Sequence, residues 1–177
     1  MRTNRHVLRL SVEGLEHKAL LSGAIGSVPV LSAPIIKVIH LNGTLRGDYH
    51  RHDSTPDKGS IYNLSGSGDV SGVGHAFVTG KIHTIGNVSQ GHAHGTLFIS
   101  GANGTITLRL VGPEQDSGPK GLPDFFKYTI TGGTGKYSNV ADTGVATLVT
   151  IPGHSAAHSG DPDHGDFTLV LTSSSTS

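Results

Sequence analysis

The stretch Thr105-Ile106-Thr107-Leu108-Arg109-Leu110 alternates polar and apolar residues, and this period of two constrains the fold more than any other feature of the chain. A β-strand sends successive side chains to opposite faces, so Ile106, Leu108 and Leu110 share one face and Thr105, Thr107 and Arg109 the other. The pattern returns in Phe126-Lys127-Tyr128-Thr129-Ile130 and in Asp166-Phe167-Thr168-Leu169-Val170-Leu171. Turn signals separate such runs: Gly101-Ala102-Asn103-Gly104, Gly112-Pro113 and Pro152-Gly153. Glycine supplies 26 of 177 residues, about twice its usual share of roughly 7%. In a helix interior each would cost roughly 0.5–1 kcal/mol relative to alanine, so the composition opposes helices.

Strands are predicted near 35–48, 58–68, 69–84, 91–101, 103–112, 124–132, 142–151 and 164–172. Evenly spaced strands without long helical patterns predict an all-β fold, a single antiparallel barrel of about eight strands, with a β-sandwich as the alternative. A closed barrel leaves no open edge. There is no Trp, and only five Phe and four Tyr, so the core must be mainly aliphatic. A chain of about 150 residues buries roughly 70% of its unfolded surface, which is enough for such a core.

Charge and composition exclude several function classes. Lys+Arg and Asp+Glu both number 13, and no basic stripe with interleaved aromatics is present, which argues against nucleic acid as a partner. No apolar run reaches the roughly 18 residues of a membrane-spanning helix, so no transmembrane segment is expected. Without cysteine the chain has no disulfide, no cysteine-ligated zinc and no thiol nucleophile.

Residues 1–34 depart from the strand pattern. Arg9-Leu10-Ser11-Val12-Glu13-Gly14-Leu15-Glu16-His17-Lys18-Ala19-Leu20-Leu21-Ser22 is weakly helical, and no uninterrupted apolar core of a general secretory signal is present. This segment resembles the short N-terminal motif of many secreted or surface proteins of planctomycete bacteria. His17-Lys18 stands where that family more often has Arg or Asp-Arg. The resemblance implies export to a secreted or cell-surface location. The expected organisation is an export or sorting segment with linker at 1–34, disordered or weakly helical, a β-barrel domain at 35–173 and a disordered tail at 174–177.

The most distinctive internal stretch is Thr131-Gly132-Gly133-Thr134-Gly135-Lys136-Tyr137-Ser138-Asn139-Val140-Ala141-Asp142-Thr143-Gly144. It resembles a glycine-rich turn of allene oxide cyclase-like and dirigent-like β-barrels, in which an aromatic residue closes one end of the barrel. The resemblance implies that Tyr137 and Val140 are plug residues. Thr143-Gly144 keeps only half of the family's paired glycines.

Cyclases of that family use an acidic or amide group inside an apolar barrel, but no motif maps a catalytic residue onto this chain. Of its three Glu, Glu13 and Glu16 lie in the leader and Glu114 lies in a loop. Asp48, Asp69, Asp142 and Asp166 fall at strand ends, where solvated or turn-capping roles are expected. No catalytic residue and no cofactor are therefore expected. The leading expectation is a secreted or surface-associated, non-enzymatic barrel that binds a small apolar ligand or a surface component. The alternatives are a cyclase or isomerase working in the barrel interior, and a weak histidine-based metal binder.

Histidine, 12 residues in all, is the remaining signal. Strand 69–84 carries His75, Phe77, Thr79, Lys81 and His83 on one face, and strand 91–101 carries His92, His94, Thr96 and Phe98 on one face. A tight connection places His83 beside His92 with His94 one step along, a candidate zinc set. The plainer reading is a solvated strand face, since no carboxylate is in view to orient the rings. A second group, His154, His158 and His164 with Asp161, Asp163 and Asp166, lies in a Gly/Ser/Pro-rich loop. His50 and His52 form a weaker third group.

Overall fold

The computed structural model describes residues 34–53, 59–85, 92–112, 122–153 and 163–174. Glu114, His154, His158, Asp161, most of the expected leader and residues 175–177 fall outside them. Among the described residues ten strands follow in chain order: β1 Lys37–Val38, β2 Gly43–Asp53, β3 Ser60–Val70, β4 Gly74–Ile85, β5 His92–Gly101, β6 Gly104–Val111, β7 Phe125–Gly133, β8 Val140–Ala141, β9 Thr143–Pro152 and β10 His164–Ser173. Eight of them close a barrel in the order β10-β2-β3-β4-β5-β6-β7-β9. Every ladder in it is antiparallel. No described helix is long and apolar enough to cross a membrane.

Alternation decides the two surfaces. Leu97 and Ile99 of β5, Ile106, Leu108 and Leu110 of β6, Phe126 and Tyr128 of β7 and Phe167, Leu169 and Leu171 of β10 all point inward and are buried. Opposite parity points outward on each strand, which leaves Phe77, Phe98, Val149 and Ile151 exposed. Closure needs a sharp bend, and paired glycines supply one. Gly47 and Gly66 face each other across β2 and β3. A Cβ on Gly47 would lie 2.1 Å from the Ser65 carbonyl oxygen, and one on Gly66 2.3 Å from that of Arg46. Only residues without a side chain let the two backbones approach so closely.

The first predicted strand is displaced. The apolar run Ile35-Ile36-Lys37-Val38-Ile39 has strand propensity, but the barrel ladder begins only at Gly43. Upstream of it, β1 pairs in parallel with β8, Lys37 against Val140 and Val38 against Ala141. Ile35, Ile36 and Val38 stay exposed, while Ile39 and Leu41 pack against the core. The β3–β4 turn also falls later than expected. It runs through Ser71–Val73, where Val73 N donates to Val70 O, rather than at 68–69.

The barrel has two unlike ends. The connections containing 54–58, 86–91, 113–121 and 154–162 all join strands at one of them, the loop end. At the other, the cap end, the strands are joined by short turns and by a 3-10 turn, Gly135–Tyr137.

Candidate functional site

The middle of the barrel interior is packed with side chains. Leu45, Leu97, Ile99, Ile106, Leu108, Leu110 and Phe126 are each 0% exposed. Side chains of several strands therefore fill the middle of the barrel. Tyrosines complete the packing towards both ends. The Tyr128 ring occupies the space where a Cβ on Gly144 would point, and the Tyr49 ring does the same for Gly165.

The cap end holds a buried carboxylate that the sequence reading placed among solvated strand-end residues. Asp142 is 4% exposed. Its Oδ2 accepts from Leu41 N at 2.9 Å and from the Tyr128 hydroxyl at 2.7 Å, and its Oδ1 accepts from Ser173 Oγ at 2.7 Å. Burial alone raises the Asp142 pKa. Hydrogen bonds from Leu41 N, Ser173, Tyr128 and Thr143 N together outweigh burial and hold it below the usual carboxylate value. The Tyr128 phenol is pushed the other way, by burial and then by its bond to Asp142 and that group's charge.

His40 Nδ1 lies 3.2 Å from Ser173 Oγ, which completes an Asp–Ser–His row. A nucleophilic triad needs the histidine in the middle, as the base that takes the serine proton. Here the serine hydroxyl donates to the carboxylate and the histidine stands at the end of the row, so the order differs from a triad and the row ties the cap together. It joins the segment before β2 to the β8–β9 junction and β10.

Tyr137 lies at the same end and is 2% exposed. Gly135, at φ 58°, turns the chain inward. Lys136 N donates to Asn103 O of the β5–β6 turn, and the Tyr137 hydroxyl donates to Gly72 O of the β3–β4 turn at 3.3 Å. In barrel order that turn lies opposite β7, so the side chain reaches across the barrel end. Val140, in β8, is partly buried against the core.

The β4–β5 register differs from the expected one. His94, not His92, stands opposite His83, and His92 pairs with Ile85. A shift of two residues preserves the faces and changes every partner. Inward packing explains the choice: Gly80 faces Leu97 and Ile82 faces Gly95, small against large. The expected register would set Gly80 against Gly95 and leave a gap. His83 and His94 lie parallel at 5.5 Å between ring centroids.

A second histidine group, divided in the sequence between β2 and the last loop, is assembled by the β2–β10 ladder. His50 pairs with His164, and their rings stack at 4.0 Å. His52 lies 3.8 Å from His50. Two imidazoles on one tetrahedral zinc, with Zn–N near 2.0–2.1 Å, would hold their centroids about 5 Å apart. Stacking presents ring faces to each other rather than nitrogens to a common point. Among the described residues no three His, Asp or Glu side chains are arranged to hold a metal ion. Nearby, Arg51 pairs with Asp163 at 2.8 Å. Burial raises the Tyr49 phenol pKa, Arg51 opposes the shift, and Asp163 and Asp166 add to it.

An open depression lies on the outer wall. It measures about 630 Å³ and is lined by residues of β3, β4 and β5, among them Asn63, Thr79, Lys81, His83, Thr96 and Phe98. Sequence reasoning treated this face as solvated. The signal that should have marked it was the pair of aromatic residues, Phe77 and Phe98, on otherwise polar strand faces; they are 63% and 44% exposed.

No family model matches the chain, and no curated protein matches it. Among solved structures, pyocyanin demethylase aligns with 76% of this chain and 98% of its own, at 20% identity and a TM-score of 0.44. A likeness of that size carries no conclusion about chemistry.

The wall and the interior offer different possibilities. A filled middle leaves a substrate no room among those side chains. The outer depression presents hydroxyl, amide, imidazole, ammonium and aromatic groups together, a set suited to holding a polar ligand by its edges and an apolar face by the ring.

Proposed function

We propose that this domain is the binding module of an exported or surface-associated protein, and that it binds through the outer wall of β3–β5 rather than through the barrel interior. The observation that carries this reading is the contrast between a middle packed with fully buried side chains and an open depression of about 630 Å³ on the wall beside it. The leader-like segment Arg9–Ser22 supports export. The filled interior favours binding over cyclase-type chemistry, which needs a chamber inside the barrel.

Backbone amide NMR of the full chain, screened against a library of glycans and small amphiphiles, tests it. A ligand should shift Thr79, Lys81, Thr96 and Phe98, and leave Leu97, Ile99 and Leu108 comparatively unmoved. A ligand whose largest shifts fall on those inward residues would overturn the outer-wall reading.

A further inference from the structure

The chain has no formal net charge, yet four adjacent strands of the barrel carry cations and no acidic residue. Strands β4 to β7 contain no Asp or Glu. They contain Lys81, Arg109 and Lys127, all exposed on the outer face. None of the three forms an ion pair with a described residue. The acidic strand residues lie elsewhere, Asp48 and Asp53 on β2, Asp69 on β3 and Asp166 on β10, while exposed Asp124 stands at the loop end just before β7. Asp48 and Asp166 stand directly opposite each other on the far side of the barrel order, while Asp69 faces His75 at 3.3 Å.

Register converts this separation into a pattern. Lys81 pairs with Thr96 and Thr96 with Arg109, so two cations lie in one row with a hydroxyl between them. Two ladder steps separate their strands by about 10 Å. In the next row towards the cap end, Thr79 pairs with Phe98 and Phe98 with Thr107. Phe77 lies diagonally from Phe98, within reach of a shared ligand. In the next row towards the loop end stand His83 and His94.

We propose that the outer wall of β4–β6 binds an acidic polysaccharide, one that carries carboxylate or sulfate groups on sugar rings. This deepens the proposed function and rests on its outer-wall reading. Lys81 and Arg109 take successive anionic groups by charge-assisted hydrogen bonds. The exposed rings of Phe98 and Phe77 accept the apolar faces of the intervening sugars, and Thr79 and Thr96 meet their hydroxyls. The spacing selects the polymer. A nucleic-acid duplex carries a phosphate about every 3.4 Å along each strand, which calls for a dense basic stripe. Cations about 10 Å apart match a sparser polyanion with one acidic group per disaccharide.

The test uses the full chain and four probes, hyaluronan and kappa-carrageenan, which carry one carboxylate or one sulfate per disaccharide, neutral dextran and double-stranded DNA, with affinities measured calorimetrically at low and moderate salt. The expected result is binding to hyaluronan or kappa-carrageenan, none to dextran, and weaker binding to DNA. Lys81→Gln combined with Arg109→Gln should lower the affinity at least about tenfold, as expected for the loss of charged hydrogen bonds. Phe98→Ala should weaken it without changing its salt dependence, and Arg46→Gln, on the opposite wall, should leave it unchanged. The altered side chains are exposed, and melting temperatures verify that each variant folds. DNA binding as tight as either polysaccharide, or equal losses from Arg46→Gln, would reduce the wall to a generic polyanion surface and overturn the proposal. Dextran binding that is lost only with Phe98→Ala would overturn the acidic ligand and keep the outer-wall reading. If none of the four probes binds, the acidic polysaccharide is overturned, and the outer wall is then judged by the NMR screen.

Discussion

The Tyr128 hydroxyl donates to Asp142 across 2.7 Å, although Tyr128 lies in β7 and Asp142 between β8 and β9, and neither is exposed. The same carboxylate receives Leu41 N and Ser173 Oγ. One acidic group therefore gathers the segment before β2 and parts of β7 and β10 at the cap end. Removing it leaves donors buried without an acceptor, which is costlier than never having made the bonds.

Asp142→Asn keeps the shape but cannot accept all of these bonds. It should destabilise the fold by about 2–3 kcal/mol at neutral pH. Denaturant unfolding followed by circular dichroism measures the difference. A variant as stable as the wild type would show that the cap does not depend on this group.

Acid should remove the same contribution in the wild-type protein. The folded state holds Asp142 below its ordinary carboxylate pKa, so the unfolded chain takes up that proton first as the pH falls. The stabilisation is complete above the ordinary value of about 4 and is lost as the pH drops through the lowered folded value. Melting temperatures recorded across that range should fall more steeply for the wild type than for Asp142→Asn. Parallel curves would contradict the assignment.

Tyr137 spans from the 3-10 turn to Gly72, which makes its ring and its hydroxyl separable. Tyr137→Ala should cost roughly 2–5 kcal/mol, the usual range for emptying a core position. Tyr137→Phe loses only a 3.3 Å hydrogen bond and should cost about 1 kcal/mol or less. A Tyr137→Ala protein that unfolds at the wild-type temperature would sink the plug role of Tyr137.

Glycines in this barrel differ in what they permit. Gly66→Ala would drive a Cβ to 2.3 Å from a backbone oxygen that cannot move alone, and should cost about 1–3 kcal/mol or more. Gly132 has nothing within 4 Å of an added Cβ, so Gly132→Ala should stay within about 0.5 kcal/mol. Equal effects at the two sites would refute the close-approach account of barrel closure.

Zinc titration addresses the histidines. The stacked rings hold no preformed set of three donors, so binding should be micromolar or weaker. Changing His83, His92 or His94 singly to Ala should not alter it. Submicromolar affinity lost in all three variants would make the β4–β5 hairpin a metal site after all.

The sequence by itself determined which face each strand residue takes. Alternation is a local property: Ile106, Leu108 and Leu110 share a side whatever the strand pairs with, and so do Lys81 and His83. Strand number and barrel class followed from the spacing of such runs and their turns. Which residues meet was decided only in the tertiary structure. His94 rather than His92 faces His83 because inward glycines must oppose large side chains. Asp142 read as a solvated strand end because its donors come from Leu41, Tyr128 and Ser173, positions brought together by closure of the barrel. The cationic row of Lys81 and Arg109 was equally hidden, since balanced charge in a chain says nothing about sides of a barrel. Register and closure depend on the packing of all eight strands at once, and no single stretch of sequence carries that information.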